Sequence, residues 1–259
     1  FSVLTSLQNP LIKKFRKLHQ TKHRKAQNLL LMEGTNLLEA ACACHYPLDA
    51  VCYTAHWQEN HPQLWETAQQ GAQRMELVSP EVFNAIALTK TPDGVSAIAP
   101  HPSPPSISLD NLKLGLILEQ IQDPGNLGTI IRTAAATGVD CIWLSADSVE
   151  FDHPKVLRAS VGAWFQVPIT VETDLFALIE QFSGQVVATL PDAEKTYWDL
   201  DLKTPTLLLL GNEGAGLSQE LTNLADETVK IPLAGNVESL NVAIAAALIL
   251  YEAQRQQQD

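Results

Sequence analysis

A chain of 259 residues, 46% hydrophobic and 18% charged, has room for two domains and too much apolar content for a disordered protein. Its net charge is −12, yet the first 34 residues hold seven lysines and arginines against Glu33 alone, a basic arm on an acidic body that suits local contact with a polyanion. No apolar run reaches the roughly 20 residues that span a bilayer; no secretory signal is read at the start, Phe1, and four cysteines without CxxC spacing point to a reducing, cytoplasmic setting.

The first predicted element is a basic helix in NPLIKKFRKLHQTKHRK. Ile12, Phe15 and Leu18 recur at helical spacing, so one face packs and the other carries charge. Lys13, Lys14, Lys22 and Arg24 are the candidates for phosphate contact. His19 and His23 are four apart, but cations surround them and no metal site is assigned. LLLMEG then reads as a short strand, TNLLEAACA as a helix, LDAVCYTA as a strand, and VSAIA as the strand that closes a small α/β sandwich. PHPSPPSIS, Pro100 to Ser108, sets four prolines within six residues and is the linker. The expected division is therefore a first domain over 1–99, a linker over 100–108 and a second domain over 109–259.

The second domain repeats the rhythm with longer apolar runs. LGLIL, CIWLS, QVVATL, TLLLL and TVKIPL suit strands buried on both faces, separated by helical segments. The expected fold class is α/β with a parallel sheet, and ligands of such sheets bind beyond the carboxyl ends of the strands.

Three of those strands run into loops that carry chemistry. DPGNLGTIIRTAAATG follows the first, with Asn126 as the expected N-cap and Gly138 as the terminator. Leu127, Ile130, Ile131, Ala134 and Ala135 form a buried stripe. Arg132 lies off it, placed either to meet a ligand or to pair with a carboxylate such as Asp123. In LLLLGNEGAGLS, three glycines permit close backbone approach, while the absence of a phosphate-binding lysine and the presence of Glu213 favour a neutral or cationic ligand over a nucleotide phosphate. In IPLAGNVESLNVAIAAALILYEA, Ser239 is a capping residue or a site residue, and Asn241 falls in the first helical turn. The helix that follows is apolar nearly all round, which predicts a partner subunit on its outer side and a homodimer.

Taken together, Asp123-Pro124-Gly125-Asn126-Leu127-Gly128 with Arg132, Gly211-Asn212-Glu213-Gly214-Ala215-Gly216-Leu217, and Ile231-Pro232-Leu233 with Ser239-Leu240-Asn241-Val242 resemble the three motifs of the SpoU (TrmH-type) family. These are RNA ribose 2'-O-methyltransferases of the SPOUT superfamily. Arg158-Ala159-Ser160-Val161-Gly162-Ala163 also resembles the family, and the stretch from TSLQNPLIKKFRKL to LLLMEG is similar to the RNA substrate-binding domain that often precedes it. The resemblance implies a trefoil knot in the C-terminal domain and a bent S-adenosylmethionine held at Gly211, Ile231 and Leu240, with Leu190 and Leu233 beside it. It also implies that Arg132 meets the ribose hydroxyl, supported by Asn126, Glu213, Ser239 and Asn241 from both subunits of a homodimer joined through the C-terminal helix and the motif regions. Leu233 and Ala243 depart from the residues common in the family, both at packing positions.

Ribosomal RNA is favoured over transfer RNA as the substrate. The alternatives are a tRNA ribose methyltransferase and a non-catalytic RNA-binding protein, the latter disfavoured by the intact polar motif residues. An oxidoreductase or small-molecule methyltransferase of Rossmann type requires a glycine fingerprint after the first strand, whereas the glycine-rich loop lies near the end of this chain.

Overall fold

The computed structural model describes residues 3–258. In chain order, α1 (Pro10–Lys17) and α2 (Thr21–Gln27) lead into β1 (Leu29–Glu33), α3 (Thr35–Ala43), β2 (Ala50–Tyr53), α4 (Ala55–Asn60), α5 (Pro62–Gly71), β3 (Met75–Leu77), α6 (Pro80–Ile86) and β4 (Val95–Pro100). Then come β5 (Leu114–Leu118), α7 (Pro124–Thr137), β6 (Cys141–Ser145), α8 (Pro154–Ala159), β7 (Ile169–Glu172) and α9 (Leu175–Gln181). The chain closes with β8 (Gln185–Thr189), β9 (Lys195–Thr196), β10 (Thr206–Leu210), α10 (Gln219–Thr222), β11 (Glu227–Lys230) and α11 (Val242–Gln258). Two compact units result: the described residues up to Ser103 together with Asp152–Phe165, and Pro104–Phe151 together with the chain from Gln166 onward. The segment Asp152–Phe165, read from sequence as part of the second domain, groups with the first unit.

In the first unit the sheet runs β1-β4-β2-β3, antiparallel except for the β2/β3 pair. Leu29 and Leu31 of β1 turn toward a core that holds Ile12, Phe15 and Leu18 with Val82, Phe83 and Ile86 of α6. Helices α3 and α8 also pack on β1, and every residue of that strand is buried. Gly162, at φ 81°, lies so close to Ala40 of α3 that a side chain there would collide with it, and Tyr46 meets the rings of Trp164 and Phe165. This packing ties Asp152–Phe165 to the sheet. Glu33 is buried at 3% exposure and accepts from Leu88 N–H, Thr89 N–H and Thr89 Oγ1, which pins the loop after α6.

The expected single basic helix is two helices, and Arg24 explains the break. Its Nη1 donates to Leu18 O at 3.0 Å and His19 O at 3.1 Å, and its Nη2 to Thr21 Oγ1 at 2.9 Å. The carbonyls that end a helix lack intrahelical donors, and here one guanidinium satisfies them from inside the fold. At 1% exposure Arg24 is a structural clamp and not a phosphate contact. Lys13 and Lys22 are exposed and Lys14 is half-buried, as a solvated cationic face requires.

In the second unit seven strands in the order β7-β6-β5-β10-β8-β11-β9 pair in parallel throughout. The runs LGLIL, CIWLS and TLLLL fall wholly in β5, β6 and β10, where β5 and β10 are buried at every residue. The run TVKIPL is strand only to Lys230. Pro232 brings no N–H to a ladder, and Ile231–Leu233 leave the sheet as a loop. Helix α11 buries Val242, Ala246, Ile249 and Leu250 and packs against α7, while Ile244 and Tyr251 stay about half exposed at 51% and 52%. No helix among the described residues is long and apolar enough to cross a membrane.

Candidate active site

The loops that follow β5, β8, β10 and β11 meet at the carboxyl ends of four adjacent strands, where an open parallel sheet leaves a crevice for ligands. A cavity of about 400 Å³ lies there, lined by Thr189 at the end of β8 and Leu190 after it, Gly211 to Leu217 after β10, and Ile231, Leu233, Glu238, Ser239 and Leu240 after β11. Every residue expected at the cofactor (Gly211, Ile231, Leu240, Leu190 and Leu233) lies on its wall, together with Glu213 and Ser239.

Local sequence dictates how each segment arrives. Helix α7 begins three residues earlier than expected, because Pro124 at its first position needs no hydrogen-bond partner. Asp123 rather than Asn126 is therefore the N-cap, its Oδ1 accepting from Asn126 N–H at 2.9 Å. The Asn126 side chain is thereby freed, and its Nδ2 donates to Glu213 Oε1 at 2.6 Å. Asn241 caps α11, accepting from Ala243 N–H at 2.9 Å through Oδ1, while its Nδ2 donates to Asn126 Oδ1 at 2.9 Å. One hydrogen-bonded line thus joins residues 241, 126 and 213 from three separated motifs. Gly138, in the left-handed region at φ 75°, ends α7 as expected.

The glycine loop is tight. A Cβ at Gly211 would collide with the backbone of Gly216 and Leu217, where Asn212 and Gly216 exchange both backbone hydrogen bonds. Asn212 Oδ1 accepts from Gly214 and Ala215 N–H at 2.8 and 2.9 Å, which closes the turn around Glu213. Neither Asn212 nor Thr189 nor Glu238 is singled out as a site residue by sequence reasoning. Asn212 is legible in principle as a turn-forming amide between glycines; Thr189 and Glu238 depend on the fold alone.

Arg132 is exposed on α7 and forms no ion pair with Asp123, whose carboxylate is taken by the cap. It does not line the cavity, and among the described residues of one chain no hydrogen bond joins it to Asn126, Asn241 or Glu213. Ser239 lies on the cavity wall and does not cap α11.

Three features test whether the cavity fits S-adenosylmethionine. Its lining contains Glu213 and Glu238 and no Lys, Arg or His, which suits a ligand bearing a sulfonium cation. Thr189 Oγ1 is buried without a hydrogen-bond partner at the cavity wall and can serve a polar ligand. The wall around Gly211 is backbone, which allows close approach by a flat ring. The residues present fit the group.

Residues 113–251 match the SpoU rRNA Methylase family. The chain belongs to this family. Residues 9–97 match the MRM3-like substrate binding domain. Among relatives, the SpoU chain is 48% identical to an uncharacterized tRNA/rRNA methyltransferase of Synechocystis, over 98% of this chain and 94% of the relative. It is 30% identical to the 23S rRNA (guanosine(2553)-2'-O)-methyltransferase RlmP of Bacillus subtilis, over 96% of this chain and 97% of the relative. Among solved structures, the AdoMet-bound rRNA methyltransferase from Sinorhizobium meliloti is 34% identical with a TM-score of 0.85, covering 98% of this chain and 97% of that one.

Proposed function

We propose that this protein is an S-adenosylmethionine-dependent RNA ribose 2'-O-methyltransferase acting on ribosomal RNA. The observation that carries the reading is the meeting of the glycine-loop cavity with the hydrogen-bonded line Asn241–Asn126–Glu213 at one end of the sheet. A relative matched over its full length, the 23S rRNA methyltransferase RlmP, supports the choice of RNA.

Gly211, Ile231 and Leu240 hold the cofactor through backbone groups, with Leu190 and Leu233 packing beside it and Thr189 Oγ1 as an added polar contact. When bound, S-adenosylmethionine supplies a methyl group on a sulfonium, an electrophile that needs no metal. The chain itself must present a ribose hydroxyl and receive its proton as the new C–O bond forms and the C–S bond breaks. Asn126 and Asn241 fix the Glu213 carboxylate as the acceptor, with Ser239 alongside. A guanidinium does not give up its proton near neutral pH, so Arg132 orients the hydroxyl and the adjoining phosphate. Lys13, Lys14 and Lys22 engage more distant phosphates, which makes the first unit the RNA-holding one.

The exposed Ile244, Leu248 and Tyr251 on α11 support a homodimer built on that helix, with Arg132 completing the site across subunits. The C-terminal chain is knotted in this reading, as the family resemblance implies, and the packing of α11 on α7 and the place of β10 between β5 and β8 support it. Free cysteines and the ribosomal substrate fit a cytoplasmic setting.

The test is a map of ribose methylation in total RNA from cells with and without the gene, repeated with Arg132→Ala. Loss of one rRNA methylation site in the deletion, unrestored by Arg132→Ala, supports the reading. An unchanged map overturns it.

A further inference from the structure

The glycine loop is laced to the chain that follows β5 at three points, and only one of them belongs to the Asn241–Asn126–Glu213 line described above. Glu213 to Asn126 is that one. Glu119, the residue after β5, accepts from Ser218 N–H through Oε2 at 2.7 Å, at the far end of the glycine loop. Its own N–H continues the sheet by donating to Leu210 O at 2.9 Å. Gln120 sits in the left-handed region at φ 55°, a conformation that a non-glycine residue keeps only where its surroundings enforce it. Two bonds enforce it here. Ser145 Oγ accepts from Gln120 N–H at 2.8 Å, and Gln120 O accepts from Asn212 Nδ2 at 2.8 Å.

Glu213 is thus presented between two anchors. Asn212 immediately before it is bonded outward to Gln120 and inward to Gly214 and Ala215 N–H. Ser218, five residues after it, is bonded to Glu119 and caps α10 through Leu221 N–H at 3.2 Å. Neither Glu119 nor Asn212 has a side-chain bond to Asn126, Asn241 or Glu213, so each acts on that line only through the loop backbone. The wall of the cofactor cavity and the seat of the Glu213 carboxylate are one loop, fixed at both ends to the strand that leads into Asn126 and Arg132.

We propose that Glu119 and Asn212 are positioning residues that couple the cofactor loop to the Asn241–Asn126–Glu213 line, so that losing either brace lowers turnover more than it weakens cofactor binding. The proposal rests on the methyltransferase reading above. A carbonyl oxygen can replace the carboxylate as acceptor for Ser218 N–H, so Glu119→Gln keeps the brace and Glu119→Ala removes it. Asn212→Ala removes both the bond to Gln120 and the bonds that close the turn.

The test compares wild type, Glu119→Ala, Glu119→Gln and Asn212→Ala by steady-state kinetics on unmodified 23S rRNA transcribed in vitro, calorimetric titration with S-adenosylmethionine, and thermal melting. The expected result is a kcat reduced about 10- to 100-fold in Glu119→Ala and Asn212→Ala at saturating substrates, with the cofactor Kd raised no more than about fivefold. Glu119→Gln should recover kcat to within about threefold of wild type. A folded Glu119→Ala enzyme with normal kcat, a loss confined to cofactor Kd, or a Glu119→Gln variant as slow as Glu119→Ala would each overturn the coupling. If wild type binds the cofactor but methylates no RNA, the functional reading fails. Hydrogen exchange at Gly214 and Ala215 then decides the brace: faster exchange in Asn212→Ala and Glu119→Ala supports it, and unchanged exchange overturns it.

Discussion

Replacing Arg24 by alanine separates a structural cation from the neighbouring lysines proposed to contact RNA. The guanidinium gives two bonds to main-chain carbonyls at 3.0 and 3.1 Å and one to Thr21 Oγ1 at 2.9 Å, all with Arg24 at 1% exposure. A hydrogen bond from a charged donor contributes about 1.5–3 kcal/mol, and a buried carbonyl left without its donor costs about as much again unless water reaches it. His19 is only partly buried, so part of the loss is recovered by hydration, and a net destabilisation of about 3 kcal/mol results. For a domain of this size that lowers the melting temperature by roughly 8–15 °C. Arg24→Lys keeps the charge but not the planar fork and should recover less than half of the loss. The assay pairs thermal melting with RNA binding at several salt concentrations. Lys13→Ala should leave the melt within about 1 °C and reduce the slope of log affinity against log salt by roughly 0.7–0.9. Arg24→Ala should lower the melt and, in its folded fraction, keep the wild-type slope. An Arg24→Ala protein that melts normally and loses salt slope as Lys13→Ala does would refute the clamp.

Gly211→Ala forces a methyl group into the Gly216 carbonyl and the Leu217 nitrogen, so titration calorimetry should find S-adenosylmethionine affinity lower by about 30-fold or more. Tyr251→Asp and Ile244→Asp place a charge on the exposed face of α11 and should give monomers in sedimentation analysis, since both residues are about half exposed in the single chain and neither supports its core. Burial, with a smaller contribution from Glu76, pushes the Cys52 thiol up to about 12, and burial also raises Cys141. A thiol whose folded value lies above its unfolded one stabilises the fold below the unfolded value, near 9, and that contribution is lost as pH rises toward 12. Stability should therefore fall above about pH 9, and a thiol reagent at pH 8 should modify exposed Cys44 while sparing Cys52 and Cys141 until the chain unfolds.

The elements that periodicity made legible are those whose surroundings are simple. LGLIL, CIWLS and TLLLL are interior strands, and continuous apolar runs identify them because both faces meet protein. TVKIPL misleads, because its apolar end lines a cavity instead of a sheet, and a pocket wall and a strand have the same composition. Arg24 resembles its lysine neighbours in sequence because a charge carries no mark of which side of a turn it occupies. Asn126 is legible as a site residue but not as a free amide, since only the fold shows that the carboxylate of Asp123 takes the cap. The braces at Glu119 and Gln120 have no signal in spacing, because they form between segments about 100 residues apart. Gly211, Ile231 and Leu240 are legible only through the family resemblance, because backbone groups leave no mark in residue type, and the fold brings them to one wall.

Transfer of a deuterated methyl group from S-adenosylmethionine to RNA by the purified protein, followed by digestion and mass spectrometry of the nucleosides, tests the central claim most directly. The account predicts one nucleoside that carries the label on its ribose 2'-oxygen. A label found on a base, or none transferred to ribosomal RNA by a protein that binds the donor, would contradict it.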